Sequence, residues 1–239
     1  MINIQFVNIT LKINKVKLFF LLILTFACVT LQGCAEKDSK SSQQAPEITV
    51  INEDANLPPT IIEEFQNIIY KVYPQLVEDF NNNARMNITI KIDTTYNGVA
   101  YASNGRVTVS SQWLDAKPND LDLMTHEIMH IIQAYPNNSG PGWLIEGIAD
   151  YVRHKYGVSN AKAGWSLTEF SDTQSYENSY RITARFLVWL SENYDEKIVN
   201  KLDDELRSGD YSSDLWKEYT GFNIDQLWDL YSKNPEIKS

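Results

Sequence analysis

Cysteine and positive charge are both scarce in this chain of 239 residues. Two cysteines, Cys28 and Cys34, are too few for a disulfide framework or for a zinc site built from four thiolates. The 21 lysines and arginines are outnumbered by 31 aspartates and glutamates, which gives a formal net charge of −10. Because nucleic-acid binding needs basic surfaces that neutralise phosphate, we expect no nucleic-acid partner.

The sequence has one long apolar run, residues 18–31, and lysines precede it. Such a run is short for a membrane span and typical of the core of a signal peptide. It ends in LQGC, which resembles the lipobox at which bacterial lipoproteins are cleaved. We therefore predict a lipoprotein signal peptide over residues 1–33 and lipid on Cys34; an ordinary signal peptide or an uncleaved anchor is the alternative. Cleavage there removes Cys28, so no thiol remains for a disulfide or a metal.

The residues that follow the predicted cleavage site are polar. Residues 34–46, CAEKDSKSSQQAP, have few apolar side chains to bury, so we predict a flexible tether before a domain over residues 47–234. Ala35 stands where an inner-membrane retention signal would have aspartate. We expect a lipid-anchored protein of the bacterial cell envelope, in the outer membrane if the cell has two membranes. The lipid on Cys34 would make the membrane contact, and we expect a monomer.

The domain is predicted to be α+β, with a small antiparallel sheet followed by a mostly helical part. Residues 86–93 alternate between apolar and polar side chains. Residues 98–111 contain Asn104-Gly105 between two alternating runs, which is the strongest short signal for a hairpin. Residues 47–51 are a candidate further strand of the same sheet.

Apolar residues recur at helical intervals before and after these strands. The first helix is predicted over residues 58–80, with Thr60 as its cap and Pro74 as a kink or an end. After Asn119 or Asp120, either of which is a suitable cap, the pattern is helical to the end of the chain. The helices predicted there cover residues 121–135, 143–156, 177–194, 195–208 and 223–232.

All three histidines lie between residues 126 and 154. His126 and His130 are four residues apart on a predicted helix, so their imidazoles project from one face, and Glu127 lies between them. This HExxH pattern is typical of zinc hydrolases, in which the two histidines bind the metal and the glutamate takes a proton from a metal-bound water. We therefore predict one Zn²⁺ per chain and Glu127 as the catalytic base.

A catalytic zinc site needs a third protein ligand. Pro136 stands where a metzincin would have its third histidine, and no methionine follows Met129, so that class is excluded. Glu146 and Asp150 are four residues apart on the next predicted helix. Glu146 as the ligand, with Asp150 holding one imidazole by its free N–H, satisfies both the metal and the histidine. Asp150 itself or His154 remains an alternative third ligand.

The segments HEIMHIIQ and GPGWLIEGIADYVR together resemble the plant basic secretory protein family, which has bacterial members and is grouped with HExxH metallopeptidases. The hairpin GVAYASNGRVTVS and the later segments SYRITARFL and DQLWDLY are also similar to that family, so the resemblance spans roughly residues 50–232. It implies a zincin-like fold, a zinc ion, and a peptide or protein substrate. It points to the HExxH motif and to the segment that contains Glu146 and Asp150. Trp143 departs from the glycine expected there, and His154 stands where the family has no histidine.

The segment SYRITARF also offers groups that could stabilise the oxyanion formed during hydrolysis. Tyr180 is the predicted catalytic hydroxyl, since tyrosine is a common electrophile in zinc peptidases, and Arg185 is the other candidate. The alternative is that Tyr180 packs in the core and that Arg185 forms a structural ion pair.

These observations predict zinc-dependent hydrolysis of peptide bonds by a membrane-anchored metallopeptidase of the cell envelope. A non-catalytic envelope module that binds peptide or glycan and keeps the zinc site is one alternative. A structural zinc site, with His154 as its fourth ligand, is another. The segment RVTVS, within residues 106–112, is a candidate edge strand for pairing with extended substrate, or equally an internal strand.

Overall fold

The computed structural model describes residues 45–238. The predicted signal peptide, the lipidation site at Cys34 and all but the last two residues of the predicted tether lie outside the described residues. Within residues 45–238, no helix has both the length and the apolar composition that a membrane span requires.

Four strands form one sheet in the described part of the chain, in the order β1-β2-β4-β3. They are β1 (Glu47–Asn52), β2 (Asn87–Asp93), β3 (Ala100–Ser103) and β4 (Arg106–Ser110). The predicted hairpin is confirmed, since β3 and β4 are antiparallel neighbours. Asn104 and Gly105 between them have φ angles of 50° and 78°, the positive values that a tight two-residue hairpin turn requires.

The prediction of an antiparallel sheet is wrong for two of the three pairings. β1 pairs with β2 and β2 pairs with β4 in parallel, and only β3 pairs antiparallel with its neighbour. The cause lies in the connections, because helix α1 (Pro59–Asp79) carries the chain from the end of β1 back to the start of β2. Alternation of apolar and polar side chains does not reveal strand direction. The predicted α+β class is confirmed.

The other helices of the described chain follow the sheet. They are α2 (Ser111–Ala116), α3 (Leu123–Gln133), α4 (Gly142–Tyr156), α5 (Asn160–Ala163), α6 (Tyr180–Asn193), α7 (Ile198–Ser208), α8 (Leu215–Thr220) and α9 (Ile224–Lys233), with a 3₁₀ turn at Tyr176–Asn178. The sequence predicted α1, α3, α4, α6, α7 and α9. It did not predict α2, α5 and α8, which have six, four and six residues, because such short helices show too little periodicity.

α1 covers nearly the whole of the predicted range, residues 58–80, but Thr60 does not cap it. Pro59 is its first residue, and no side-chain capping bond is present, so Thr60 is not the cap. Proline suits this position because its missing N–H would have no intrahelical partner there. The helix also continues past Pro74 to Asp79.

α3 begins at Leu123, later than predicted, and the residue at its N-cap position is Asp122 rather than Asn119 or Asp120. Asp120 forms an ion pair with Arg153 of α4. Asp122 accepts hydrogen bonds from backbone N–H groups just after α4. Both acids therefore attach the start of α3 to the region around the end of α4.

α3 lies within the hydrophobic core and contacts α1, α4, β3 and β4. Fully buried apolar side chains surround it from α1, from the sheet and from α3 itself: Phe65, Ile69, Val72, Ile90, Ile92, Val107, Val109, Met124, Ile128 and Ile132. Moving the helix would expose this apolar surface, at a cost of about 25 cal/mol per Å². The core therefore holds in place the helix that carries the HExxH motif.

α4 and α6 approach each other closely at Gly147. A Cβ atom at this position would lie 2.3 Å from Cγ2 of the buried Thr183 on α6. Glycine is required here for space, and the close approach fixes how α4 packs against α6.

We expect Gly147→Ala to lower the free energy of unfolding by about 1–3 kcal/mol, because overpacking a filled interface forces neighbouring groups to shift. Gly142→Ala is the matched control on the same helix, since a Cβ there would meet nothing within 4 Å. Urea unfolding of the two variants measures the difference. Equal stability of both variants would contradict close packing of α4 against α6.

Candidate metal centre

α3 presents His126, Glu127 and His130 at the wall of a cleft with a volume of about 1250 Å³. Strand β3, the loop that follows α3 and the start of α6 also border this cleft. Glu146 and Asp150 enter it from α4. The fold therefore brings together at one cleft residues that lie on two helices.

Three donor atoms, from His126, His130 and Glu146, converge on one point. The two Nε2 atoms lie 3.2 Å apart, and Oε2 of Glu146 lies 3.2 Å from Nε2 of His126 and 3.5 Å from Nε2 of His130. Among the residues described, these three form a group that could hold a metal ion. A tetrahedral zinc site with ligands at about 2.05 Å has them about 3.3 Å apart, so the spacing fits.

Hydrogen bonds to Nδ1 orient both imidazoles. Nδ1 of His126 lies 2.7 Å from Oδ1 of Asp150, and Nδ1 of His130 lies 2.7 Å from Oε1 of Gln133. Because both oxygens accept, each Nδ1 carries a proton, and each Nε2 is directed at the point of convergence. Two nitrogen lone pairs and a carboxylate oxygen at these distances repel one another unless a positive charge lies between them. The donor set therefore fits a bound metal ion.

Gln133 is a residue of this site that the sequence analysis missed. Its side chain is buried, and its amide nitrogen donates to the backbone oxygen of Ile145, 3.0 Å away. That bond leaves the amide oxygen to face His130, and it attaches the end of α3 to the residue before Glu146. The segment HEIMHIIQ could have revealed this contact, because Gln133 follows His130 by three residues and residues three apart on a helix are neighbours.

A positive charge is favoured at the point of convergence despite its burial. Burial disfavours the charged form of His126, but hydrogen bonds to Asp150 and Glu146 raise its pKa to about 10. Burial also disfavours the charged form of Glu146, but hydrogen bonds from His126 and His130 outweigh that effect and lower its pKa. The carboxylates are thus arranged to stabilise a cation, whether that cation is a proton or a metal.

Glu127 is buried beside the two histidines and has one oxygen without a partner. Its Oε2 is enclosed and accepts no hydrogen bond within the described chain. Burial raises the pKa of this carboxyl, although the neighbouring His126 and His130 oppose the effect. A buried, incompletely bonded carboxyl with a raised pKa is suited to proton transfer.

Tyr180 lies over the ring of His126 and does not pack in the core. The two rings are stacked with centroids 6.1 Å apart, and Tyr180 is 53% exposed. The negative charge of Glu146 raises the pKa of the Tyr180 hydroxyl, and partial burial makes a smaller contribution in the same direction. Ser179 and Tyr180 have φ angles of 65° and 52°, in the left-handed region that non-glycine residues rarely adopt. Two such residues in succession mark a strained link that sets Tyr180 at the cleft.

Arg185 and His154 lie away from the donor cluster and do not border the cleft. Arg185 is buried, pairs with Glu169 at 3.3 Å and donates to the backbone oxygen of Pro235. This arrangement matches the structural ion pair that was the alternative to an oxyanion role. His154 is half-buried, and burial lowers its pKa. Neither residue is therefore positioned to act at the metal centre.

The edge strand beside the cleft is β3, so of the two interpretations of RVTVS the internal strand is confirmed and the edge strand is wrong. RVTVS forms β4, which is paired on both sides, with β2 and with β3. The hairpin folds so that its first strand is outermost, and Val99 to Ala102 border the cleft. Sequence patterns within a hairpin do not indicate which of its strands has a second neighbour.

A buried carboxyl beside two histidines and a glutamate, all open to one cleft, defines a candidate metal-dependent hydrolase site. The model of the BSP family, described as "Peptidase of plants and bacteria", matches residues 34–231. This match covers most of the chain, so the chain belongs to the basic secretory protein family, as its sequence had suggested. No curated protein and no solved structure gave a significant match.

We expect Gln133→Leu to weaken Zn²⁺ binding by about 10- to 100-fold, because His130 loses the acceptor that orients its ring. Gln133→Glu keeps an acceptor for Nδ1 of His130 and should retain most of the affinity, although it loses the bond to Ile145. Competition with a chromophoric chelator measures both affinities, and circular dichroism checks that both variants are folded. Wild-type affinity in Gln133→Leu would show that other contacts orient His130.

Proposed function

We propose that this protein is a zinc-dependent peptidase, held in a bacterial cell envelope by lipid, that hydrolyses peptide bonds with Glu127 as its base. The observation that carries the proposal is the convergence of three donor atoms, from His126, His130 and Glu146, beside an unpartnered oxygen of Glu127. Membership of a family described as peptidases supports the reaction class. The proposed cofactor is one Zn²⁺ per chain.

Zinc is the metal that this donor set favours. Two imidazoles and a carboxylate are the protein ligands of many catalytic zinc sites, which keep a fourth position open. When bound, zinc supplies a Lewis acid that lowers the pKa of water and polarises the substrate carbonyl. Copper generally binds such donors more tightly, so selection of zinc depends on geometry and on which metal is available.

Glu127 accepts the proton of the attacking water and passes it to the nitrogen of the leaving amine. Its place next to His126 in the sequence puts it beside the metal ligands but off their face of the helix. The burial that raises its pKa makes the protonated form easier to reach, which suits a group that must take and then return a proton.

Tyr180 donates a hydrogen bond to the carbonyl oxygen of the substrate as negative charge develops there. Its exposed position over His126 supports this role. Its raised pKa keeps the hydroxyl protonated, so it remains a donor at neutral pH. The positive φ angles of Ser179 and Tyr180 give the backbone the unusual course that places the ring at the cleft.

An extended peptide adds to the outer edge of β3 as a further strand. The order of the sheet leaves this edge without a neighbouring strand in the described chain. Val99 and Tyr101 on this wall of the cleft are 39% and 46% exposed, so their side chains are accessible to a bound peptide. Backbone pairing with side-chain contacts on alternate residues is how sheet edges recognise peptides, so the proposed substrate is a peptide or protein.

Glu127→Gln should lower kcat by about 10²- to 10⁴-fold, since a general base is lost, while zinc remains bound. Glu146→Ala should lose the zinc itself because a ligand is removed. Elemental analysis of the purified protein and mass spectrometry of a digested peptide library measure the two effects. Glu63→Gln, an exposed residue of α1, is the control for the charge change.

Undiminished hydrolysis by Glu127→Gln would rule out this mechanism. Zinc retained by Glu146→Ala would move the third ligand to Asp150. A wild-type protein that binds zinc and peptides without cleaving them would favour a non-catalytic binding module.

Tyr180→Phe should lower kcat by about 10²-fold with little change in KM, because the lost hydrogen bond forms mainly in the transition state. Tyr70→Phe removes a hydroxyl from another exposed tyrosine, which lies on α1 and does not border the cleft. It should leave both constants unchanged. Steady-state kinetics on one peptide substrate compares them. A change in KM alone would assign Tyr180 to substrate binding.

We also propose that the mature protein is a monomer anchored by lipid on Cys34, in the outer membrane where the cell has two membranes. The LQGC motif and the polar residues after it support this location. Cys34→Ser should abolish metabolic labelling with a fatty-acid analogue and move the protein out of the membrane fraction. Cys28→Ser is the matched control and should change neither, because Cys28 precedes the cleavage site. Membrane association that survives Cys34→Ser would indicate an uncleaved anchor.

A further inference from the structure

We propose that one end of the cleft, built around Arg153, binds a carboxylate of the substrate. This inference rests on the proposed peptidase function. It adds the chemical class of substrate that the enzyme would select, namely peptides with a carboxylate near the cleaved bond. We call this region the basic end of the cleft and define it by Trp113, Lys117, Arg153, Lys162 and Trp165, all of which border the cleft.

Arg153 is fixed in the wall of the cleft by three contacts. It is only 5% exposed. Its Nη2 donates to Asp120 at 2.5 Å, its Nε donates to Asn160 at 3.0 Å, and its guanidinium lies 4.4 Å from the centroid of the Trp165 ring. A buried cation held in this way loses little further freedom when it binds an anion.

One nitrogen of this guanidinium, Nη1, donates no hydrogen bond within residues 45–238, and it is not sealed from solvent. Because Arg153 borders the cleft, we infer that Nη1 is reached from there. Asp120 does not satisfy it, since its Oδ1 accepts from Nη2 and its Oδ2 accepts from Nε1 of Trp113 at 3.0 Å. An incoming carboxylate would supply the missing acceptor.

The charges around Arg153 favour an anion. Lys117 and Lys162 also border the cleft, and neither forms an ion pair within the described residues. Outside the metal centre, the charged residues that border the cleft are Lys117, Asp120, Arg153, Lys162 and Arg181. This excess of positive charge occurs in a domain whose residues 45–238 contain 16 lysines and arginines against 29 aspartates and glutamates. A local reversal of charge in a cleft concentrates ligands of the opposite sign.

The basic end is close enough to the metal centre to contact the same substrate. Arg153 follows Asp150 by three residues on α4, a rise of about 4.5 Å, and Asp150 contacts His126 directly. An extended peptide advances about 3.3–3.6 Å per residue, so the bound carboxylate would belong to a residue within a few positions of the cleaved bond. The carboxylate could be an Asp or Glu side chain or the C-terminal carboxylate of the peptide.

The test is peptide binding to the zinc-loaded, full-length Glu127→Gln protein at low salt, measured by fluorescence anisotropy. The probes are labelled octapeptides with one glutamate moved along the sequence, the same peptides with glutamine, and each with a free or an amidated C-terminus. We expect glutamate at one position, or a free C-terminus, to tighten binding by about tenfold. Zinc content and hydrolysis by wild type are measured separately, so a failure of the proposed function is distinguishable from a failure of this inference.

Substitutions then locate the effect. Lys117→Gln with Lys162→Gln should reduce the preference for the charged peptide by about three- to tenfold. Lys197→Gln with Lys217→Gln removes the same charge from exposed positions outside the cleft and should leave the preference intact. Arg153→Lys keeps the positive charge but removes the free guanidinium donor, and it should also reduce the preference. The lysine variants keep the test valid if Arg153→Lys does not fold.

Each outcome decides the inference. A preference for internal glutamate that survives C-terminal amidation identifies a side-chain subsite, whereas a preference abolished by amidation identifies capture of the peptide terminus. Equal binding of all four peptide types at every position would overturn the inference. So would an equal loss of preference in the control lysine pair, because the effect would then be one of net charge.

Discussion

The alignment of α3 against α4 is the constraint on which the candidate site depends. Asp150 of α4 holds His126 of α3, and Gln133 of α3 holds both His130 and the backbone just before Glu146. One of these links lies toward each end of α3. The three donor atoms therefore keep their spacing only while the two helices keep their relative position, which the core behind α3 and the close contact of α4 with α6 both enforce.

The same alignment concentrates negative charge in a buried place. Glu127, Glu146 and Asp150 all border the cleft next to two imidazoles, and such a group is costly to bury unless a cation compensates it. Toward the end of α4 the residues that border the cleft carry a net positive charge, because Asp120 compensates only part of the charge of Arg153 and its neighbours. The cleft is thus divided into an anionic centre suited to a metal and a basic end suited to an anion.

Much of the fold could be predicted because local patterns specify it. The helices with several turns of apolar periodicity, and the Asn104-Gly105 hairpin, appear where the sequence indicated them. Strand direction could not be predicted, since alternation is the same in parallel and antiparallel pairs and the direction depends on the path of α1. The short helices were missed for lack of periodicity. The contact of Gln133 with His130 could have been predicted from the sequence, because residues three apart on one helix are neighbours whatever the rest of the fold.

The sequence by itself determined that His126, Glu127 and His130 would lie together, because their spacing and a single helix are sufficient for that. Only the tertiary structure decided that Glu146 meets the two histidines while His154 lies outside the cluster. It also decided that Tyr180 borders the cleft while Arg185 does not, although both belong to α6. These outcomes depend on where along their length α4 and α6 lie against α3. That arrangement is set by packing between residues far apart in the chain, which spacing along one segment does not encode.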